Sequence, residues 1–550
     1  EVRIGWRTQD TPGKPRLPGV LDLQGSLSRA AGNRVHRYLP QAIDKAARDY
    51  VRDAITDGTA SGVKYKVKGD LNDFPFKGGK SGEFRISANV HDVQYAYVPT
   101  SLQPKDALPF PALTALSGEF LLDHDVIRVR GAHASVALAP GLRATKVDGV
   151  VESLYGGARV GVTAELQGPL NEALGVVNAS PLGHLMGDAL AKSTGSGVAD
   201  YRFKLAFPIA AVDKATVRGT VTLGGNDVQI TPETPRLQRA RGVVGFSETG
   251  VTVNGVQARA LGGDVRIDGG LNVSTAKAAP NGLRIQGTAS AEGLRQASEL
   301  GLPSRLAQYA SGTTTYTANL SLRPGGVDVQ VSSALTGLAL NLPAPFAKTA
   351  EVALPLRLEL TGRVGADGQV QRQQDQLVLD VGKVLQLTYV RDLSGSEPRV
   401  LRGAIGVGLA GDETAPLPSE GVVANLNLTG VDADAWSDVL NRASGTDLTP
   451  GALNVNDSAA SLAYLPTSLA VRARELTLGG RKFNRVVVGG GREGLVWRAN
   501  VDAHEMSGYV EYRQPSGSAA GRLYARLARL AIAQGEAQDV ESALDEQPAS

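Results

Sequence analysis

The chain has 550 residues, including 66 Gly, 28 Pro and no Cys, and 42% of it is hydrophobic. Its 57 Lys and Arg nearly balance 55 Asp and Glu, a net charge of +2 that gives no support to a nucleic-acid binder. The lack of Cys excludes disulfides, Cys-ligated zinc, iron–sulfur clusters and thiol catalysis. The hydrophobic content fits a folded chain, and no run reaches the roughly 18 apolar residues of a spanning helix. The chain starts at Glu1 without a basic-then-apolar leader, and reads as a mature chain or an excised fragment. Its length suits two to four domains or one elongated repetitive one.

Residues 1–33 read as lead-in strands, and residues 34–530 as one elongated β structure interrupted by a few helices. The first helix is expected near 40–55, with Ile43, Ala46, Ala47, Tyr50, Val51 and Ile55 on one face and Pro40 near its start. Phe84, Ile86, Ala88 and Val90 then alternate with polar residues. Val93, Tyr95 and Tyr97 continue that stripe only if a bulge or turn near His91-Asp92 changes the parity. Val160, Val162, Ala164 and Leu166 form the next stripe, then a helix is expected at 182–191, then Tyr201, Phe203, Leu205 and Phe207 alternate. A helix at 294–310 precedes the stripe Tyr316, Ala318, Leu320 and Leu322 and the stripe Leu354, Leu356, Leu358 and Leu360. Leu426 comes before a helix at 432–443, whose N-cap is Asp432 or Asp434. Leu495, Trp497, Ala499 and Val501 make the last stripe, and 531–550 reads as a polar tail or cut linker.

Period-two alternation puts one side-chain set on each face of a strand. Gly-rich segments at Gly224-Gly225, Gly269-Gly270, Pro324-Gly325-Gly326, Asp367-Gly368 and Gly489-Gly490-Gly491 are expected as tight turns between such strands. The fold class is therefore mainly β, an antiparallel meander with one apolar and one polar face.

No motif carries catalytic chemistry. Gly406-Val407-Gly408-Leu409-Ala410-Gly411 has dinucleotide-fingerprint spacing, but Asp412 to Pro418 contains two prolines where a helix must open. Gly79-Lys80-Ser81 lacks the first glycine of a phosphate loop. Asp123-His124-Asp125 reads as a polar turn, because neighbours on a strand point to opposite faces. His504-Glu505 lacks a second His at the zinc-protease spacing, and His36, His91, His133 and His184 are scattered. No catalytic residue, cofactor or metal is assigned. The aliphatic stripes line either a filled β-sandwich core or an open trough for lipid chains, and periodicity alone does not separate the two.

An ordered series of residues adds a resemblance. Tyr38-Leu39-Pro40, Gly58, Gly62, Gly69, Phe74-Pro75-Phe76 and Gly82-Glu83-Phe84 follow one another, with Ser180-Pro181-Leu182 downstream. Leu335 to Lys348 resembles an L-x-G-L-x-x-x-L-P-x-P-x-x-K stretch, and Leu476–Val488 with Trp497 a strand-pair repeat. Over roughly Arg34 to Leu530 the chain resembles the AsmA-like superfamily, in particular its YhdP-type envelope members; Phe110-Pro111 stands where Trp-Pro is expected. The resemblance implies a long twisted β-sheet curled into an apolar groove. It implies a non-enzymatic conduit carrying phospholipid between the inner and outer membranes of a Gram-negative envelope, with acyl chains in the groove. It also implies a periplasmic location, anchored by an N-terminal inner-membrane helix outside this segment. Partners at the two membranes would be reached through parts of a longer chain. The lining is assigned to Phe84, Ile86, Val90, Val160, Val162, Leu166, Tyr201, Phe203, Leu205, Leu320, Leu322, Leu354, Leu356, Leu358, Leu426 and Trp497. The alternative is a structural or adhesin-like β-sandwich or solenoid, which should show a regular short repeat; none of fixed length is visible. A glycan-active or hydrolytic β protein would need a convergent polar cluster.

Overall fold

Alternation along the chain becomes strand after strand: 61% of the protein is strand and 14% helix in the computed structural model. It describes residues 1–550 except 11, 40, 42, 44, 104–105, 107, 155, 182, 184–189, 210, 212–213, 273–281, 324–325, 365–372, 396–397, 411–412, 414, 445–462, 515–520 and 532–550. Among the described residues twenty-eight strands join one sheet. It is not closed into a barrel: among the described residues β1 (Val2–Arg7) bonds only to β2 (Val20–Ala31), and β28 (Arg522–Leu530) only to β27 (Met506–Arg513). The chain divides into two compact units, residues 1–259 with 267–280, and residues 260–266 with 281–550.

In the first unit β3 (Ile55–Asp70), β4 (Gly82–Tyr95), β5 (Leu113–Asp123), β6 (Val126–Val136), β7 (Ala139–Glu152) and β8 (Arg159–Pro169) pair antiparallel in sequence order. β10 (Val198–Pro208), β11 (Thr216–Gln229), β12 (Leu237–Ser247) and β13 (Gly250–Ala260) continue the meander, with short β9 (Thr194–Ser196) beside the end of β11; β14 spans Gly263–Asn272. Two helices interrupt it: α1 (Lys45–Ala54) before β3 and α2 (Leu170–Asn178) after β8. Six strands separate them, so both sit at the same ends of the strands. α1 is shorter than the 40–55 helix expected, because Gly32–Tyr38 forms a separate 3-10 turn and Ile55 already starts β3. The expected 182–191 helix falls largely outside the described residues, as does the 531–550 tail.

In the second unit β15 (Gly282–Ser290), β16 (Ala310–Arg323), β17 (Gly326–Ser333), β19 (Leu356–Val364), β20 (Gln373–Val381), β21 (Leu385–Asp392) and β22 (Arg399–Val407) are antiparallel neighbours, with β18 (Leu338–Leu340) on the start of β16. The expected 294–310 helix is broken. α3 (Ala291–Gln296) and α4 (Leu302–Leu306) are separated at Gly301, whose φ of +65° no helix accepts, and two 3-10 turns complete the segment. α5 (Ala433–Ser444) is where the sequence places a helix, and Asp432 is its cap: its Oδ1 accepts the Ala435 N–H at 2.9 Å. Asp434 instead holds the turn after β24 (Ser468–Leu478), accepting the Gly479 and Gly480 N–H groups at 2.8 Å.

Among the described pairings the antiparallel order gives way at one place. β22, β23 (Gly421–Asp432) and β24 run parallel, against the all-antiparallel expectation. Residues 408–420 and the α5 connection are long enough to carry the chain back to the same strand end, which a hairpin never does. β24, β25 (Arg481–Glu493), β26 (Val496–Asp502), β27 and β28 are again antiparallel.

Several glycine pairs expected as turns lie inside strands. Gly489-Gly490-Gly491 is the middle of β25, and the turn comes at Gly494; Gly224-Gly225 is a bulge in β11, and Gly269-Gly270 lies in β14. Glycine there opens room for a cross-strand neighbour or a bulge instead of reversing the chain. Asp367-Gly368 and Pro324-Gly325 lie outside the described residues. The Leu335–Lys348 stretch has a mechanical explanation. The Lys348 ammonium donates to the carbonyls of Leu335 (2.9 Å), Thr349 (3.0 Å) and Leu338, tying the loop around β18.

Candidate functional site

Ladder register decides which side chains share a face, because directly paired residues point the same way. In the first unit Tyr65, Ile86, Leu122, Ile127, Val151, Val160 and Phe207 stand in one row across β3 to β10. The next row holds Ala88, Phe120, Val129, Gly149, Val162, Leu205 and Val217. A third holds Ala164, Phe203, Gly219, Phe246 and Val251, and a fourth Leu166, Tyr201, Val221, Val244 and Val253. The stripes of β4, β8 and β10 therefore share one apolar face. Arg202, Lys204 and Ala206 point to the other face and are exposed. The parity change near His91-Asp92 is present: Asp92 has φ +51°, the β4–β5 register shifts between Val90 and Val93, and Val93 is buried.

The second unit carries the same pattern. Leu283, Leu320, Val329, Leu360, Leu377 and Tyr389 form one row. Ile285, Ala318, Val331, Leu358, Leu379, Leu387, Ile405, Ala424 and Leu469 form the next. A third runs Leu356, Val381, Leu385, Val407, Leu426, Val471, Val488 and Val501, and crosses the parallel strands without a break. Trp497 lies opposite Arg492 and Tyr512, with the Arg492 guanidinium 5.8 Å from the indole centroid.

Parts of these rows are packed: Ala164, Tyr201, Val381, Tyr389 and Ala424 are buried, and Val407, Leu426 and Val488 lie against a core cluster of Leu428, Ala473, Val486 and Ala503. Val160, Val162, Leu166, Phe203, Leu205, Leu320, Leu356, Leu358, Leu426 and Trp497 keep part of their surface in solvent. Phe84 differs. It is 2% exposed and packs under the turn after β3, its ring 5.0 Å from that of Phe74. Leu354 is not in the strand assigned to it, since β19 begins at Leu356 and Pro355 intervenes. Leu322 is paired with Val327 in the β16–β17 ladder.

Two features of this face escape the alternation pattern. The first is a set of aromatic rings paired across the ladder with glycines: Tyr65 with Gly25, Phe246 with Gly219, Tyr316 with Gly287, and Tyr389 with Gly403. A Cβ at Gly25 would lie 2.6 Å from Tyr65 Cζ, one at Gly403 2.5 Å from Tyr389 Cε1, and one at Gly287 3.0 Å from the Tyr316 hydroxyl. Each ring lies over its glycine, which keeps the face shallow. The signal was available as aromatics and glycines at matching parity, but only the register shows which ones meet.

The second is an ion pair on the apolar face. Asp375 and Arg391 are cross-strand partners, and Arg391 donates from Nε to Asp375 Oδ1 at 2.9 Å and from Nη2 to Oδ2. The pair is nearly buried, with side chains 10% and 15% exposed. Tyr464, leading into β24, lies over it; its hydroxyl is 3.4 Å from Arg391 Nη1, its carbonyl accepts from the Tyr389 hydroxyl at 2.8 Å, and the two tyrosine rings are 5.2 Å apart. Ala463 and Tyr464 pack with Tyr389, Val400 and Val422, so this part of the face is covered. Burial pushes the Tyr389 and Tyr201 hydroxyls up to about 12.

The motifs set aside on sequence sit in turns. Asp123, His124 and Asp125 form the β5–β6 turn, with His124 Nδ1 2.7 Å from Asp123 Oδ1 and Nε2 3.1 Å from the Gly82 carbonyl oxygen. Gly406 and Val407 end β22, and Gly408 at φ +65° leaves the strand. No cluster of three metal-capable side chains occurs among the described residues.

A family model described as YhdP protein matches residues 5–549. The chain belongs to the YhdP family. No curated protein and no solved structure matches it. YhdP-type chains are AsmA-like envelope proteins of a lipid-transport type, and the family is not a known enzyme family. The mainly β sheet with its apolar face agrees with membership in the YhdP family. Among the described residues no helix is long and apolar enough to cross a membrane.

Proposed function

We propose that the apolar face of each unit carries the acyl chains of phospholipid moving between the inner and outer membranes of a Gram-negative envelope. The observation that supports this is the set of register-continuous apolar rows, many of whose side chains stay partly exposed. A soluble protein with no use for such a face would bury it. An acyl chain gains about 0.8 kcal/mol per CH₂ taken out of water, and no specific polar contact is needed to hold it. Successive rows offer similar Leu, Val, Ile and Ala surfaces, and rings laid over glycines keep that surface low, so a chain crosses from row to row without a deep well. The headgroup stays at the wet mouth. The protein works in the periplasm, and its membrane partners are reached through other parts of a longer polypeptide. The reading is tested by extracting the purified protein under native conditions and measuring bound lipid by mass spectrometry. Phospholipid at near-stoichiometric or higher ratio is expected. A lipid-free protein with an intact fold refutes the conduit and favours a structural role.

A further inference from the structure

We infer that Ala463 and Tyr464 are a displaceable lid over a binding site for an alkyl chain, floored by Tyr389, Val400 and Val422 in the second unit. The inference rests on the reading above that the apolar face carries acyl chains. The floor is apolar and almost fully covered: Val422 is 1% exposed, Tyr389 and Val400 are buried, and Ala463 and Tyr464 pack on them. It is continuous in register with the partly exposed rows. Val422 stands opposite Gly403, Gly403 opposite Tyr389, and Tyr389 opposite Leu377, while Leu387 and Ile405 flank it in the next row. A chain following these rows therefore meets the lid, which fills the place the chain would take.

The lid is fastened firmly on one side. The Thr467 N–H donates to the Val422 carbonyl at 2.7 Å, and Thr467 Oγ1 accepts the Val422 N–H at 3.0 Å. Arg492 donates from Nε to the Pro466 carbonyl at 3.1 Å and from Nη2 to the Leu465 carbonyl at 3.3 Å. Ahead of this hinge, Tyr464 is held to the sheet by the Tyr389 hydroxyl on its carbonyl and by Arg391 Nη1, which lies 3.4 Å from its own hydroxyl and is long for a hydrogen bond. Lifting bares groups of two kinds. The Tyr389 hydroxyl and the Asp375–Arg391 pair regain water, which offsets the desolvation that burying an ion pair costs. Val400, Val422 and the Tyr389 ring gain nothing from water and are favourable only under hydrocarbon. A chain that binds the open form alone therefore shifts the equilibrium toward it. Asp375 and Arg391 neutralise each other, so the site presents no net charge and suits hydrocarbon better than an ion.

The chain has no Cys, so Ala463→Cys places a single thiol on the lid. Its maleimide labelling rate is followed in the full chain as cis-parinaric acid, a fluorescent polyene fatty acid, is added, and the emission of the probe reports total binding. Labelling should rise at least about threefold at saturating probe, because the open form becomes the populated one. Val422→Cys on the floor should gain nothing, since the chain covers what the lid uncovers. Tyr389→Phe keeps the ring and removes the hydroxyl that holds Tyr464; added to Ala463→Cys, it should lower the probe concentration giving half of the rise by about threefold or more. Saturable probe emission with unchanged Ala463→Cys labelling overturns the lid and leaves the acyl-chain reading in place. Absence of saturable emission refutes that reading and the lid with it. Faster labelling of Ala463→Cys and Val422→Cys alike marks loosening of the unit instead of displacement, and also overturns the lid.

Discussion

Placing a charge on the apolar face separates an open lining from a packed core. Leu205 is the trial position: it sits mid-row between Val162 and Val217, and is half-buried. A fully buried leucine contributes about 1.5–3 kcal/mol through burial, so a half-buried one contributes roughly half of that. In Leu205→Arg the methylene stem recovers part of this, and the guanidinium reaches water at the open side. The expected cost is about 1–2 kcal/mol, a fall in melting temperature of roughly 2–8 °C for a unit of this size. A packed core predicts a different outcome, because an unpaired charge forced inside costs several kcal/mol and unfolds the domain. Thr222→Arg, exposed on the opposite face of β11, controls for charge alone and should leave melting unchanged. Circular-dichroism melting is read beside lipid co-purification. Leu205→Arg should keep its fold and lose most of its bound lipid, while Thr222→Arg keeps both. Collapse of the fold in Leu205→Arg would refute the open face, and normal lipid loading would remove Leu205 from the path.

Three further outcomes follow from named contacts. Asp375→Ala leaves Arg391 as an uncompensated charge beneath Tyr464 and should destabilise the second unit by about 3–5 kcal/mol in denaturant melts, whereas Asp375→Ala with Arg391→Leu should recover most of it. Gly403→Ala brings a methyl against the Tyr389 ring and should lower stability, measured by the same melts, with Gly403→Ala/Tyr389→Leu restoring it. Tyr201 and Tyr389 stay protonated in the fold up to about pH 12, whereas in the unfolded chain they ionise near 10. Folding therefore holds their protons more tightly, and stability should fall as pH rises past the unfolded value, by roughly 2–3 kcal/mol per group near pH 12. Tyr389→Phe should flatten that alkaline slope in pH-dependent melts; an unchanged slope refutes the assignment.

Period-two alternation in stripes such as Val160–Leu166 and Tyr201–Phe207 was enough to establish the mainly β class, because one-face burial imposes that period locally. It also located the bulge at His91-Asp92, since two stripes of opposite parity on one strand require an extra residue between them. The sequence series from Tyr38 to Lys348 pointed to the family. Other features depend on which strand lies beside which. Tyr389 and Gly403 lie on neighbouring strands, and only their register puts ring over glycine. The same holds for Asp375 with Arg391, and for Lys204 with Arg218. The parallel turn of direction at β22 to β24 is also a tertiary fact, because a long connection leaves both return directions open. Glycine pairs misled most, as a glycine needed for a turn and one needed for a neighbouring ring look alike in one dimension. Whether the apolar stripes were covered was likewise decided in three dimensions: alternation records that one face avoids water, whereas the partial exposure of Val162, Phe203, Leu205 and Leu358 depends on what, if anything, packs against it.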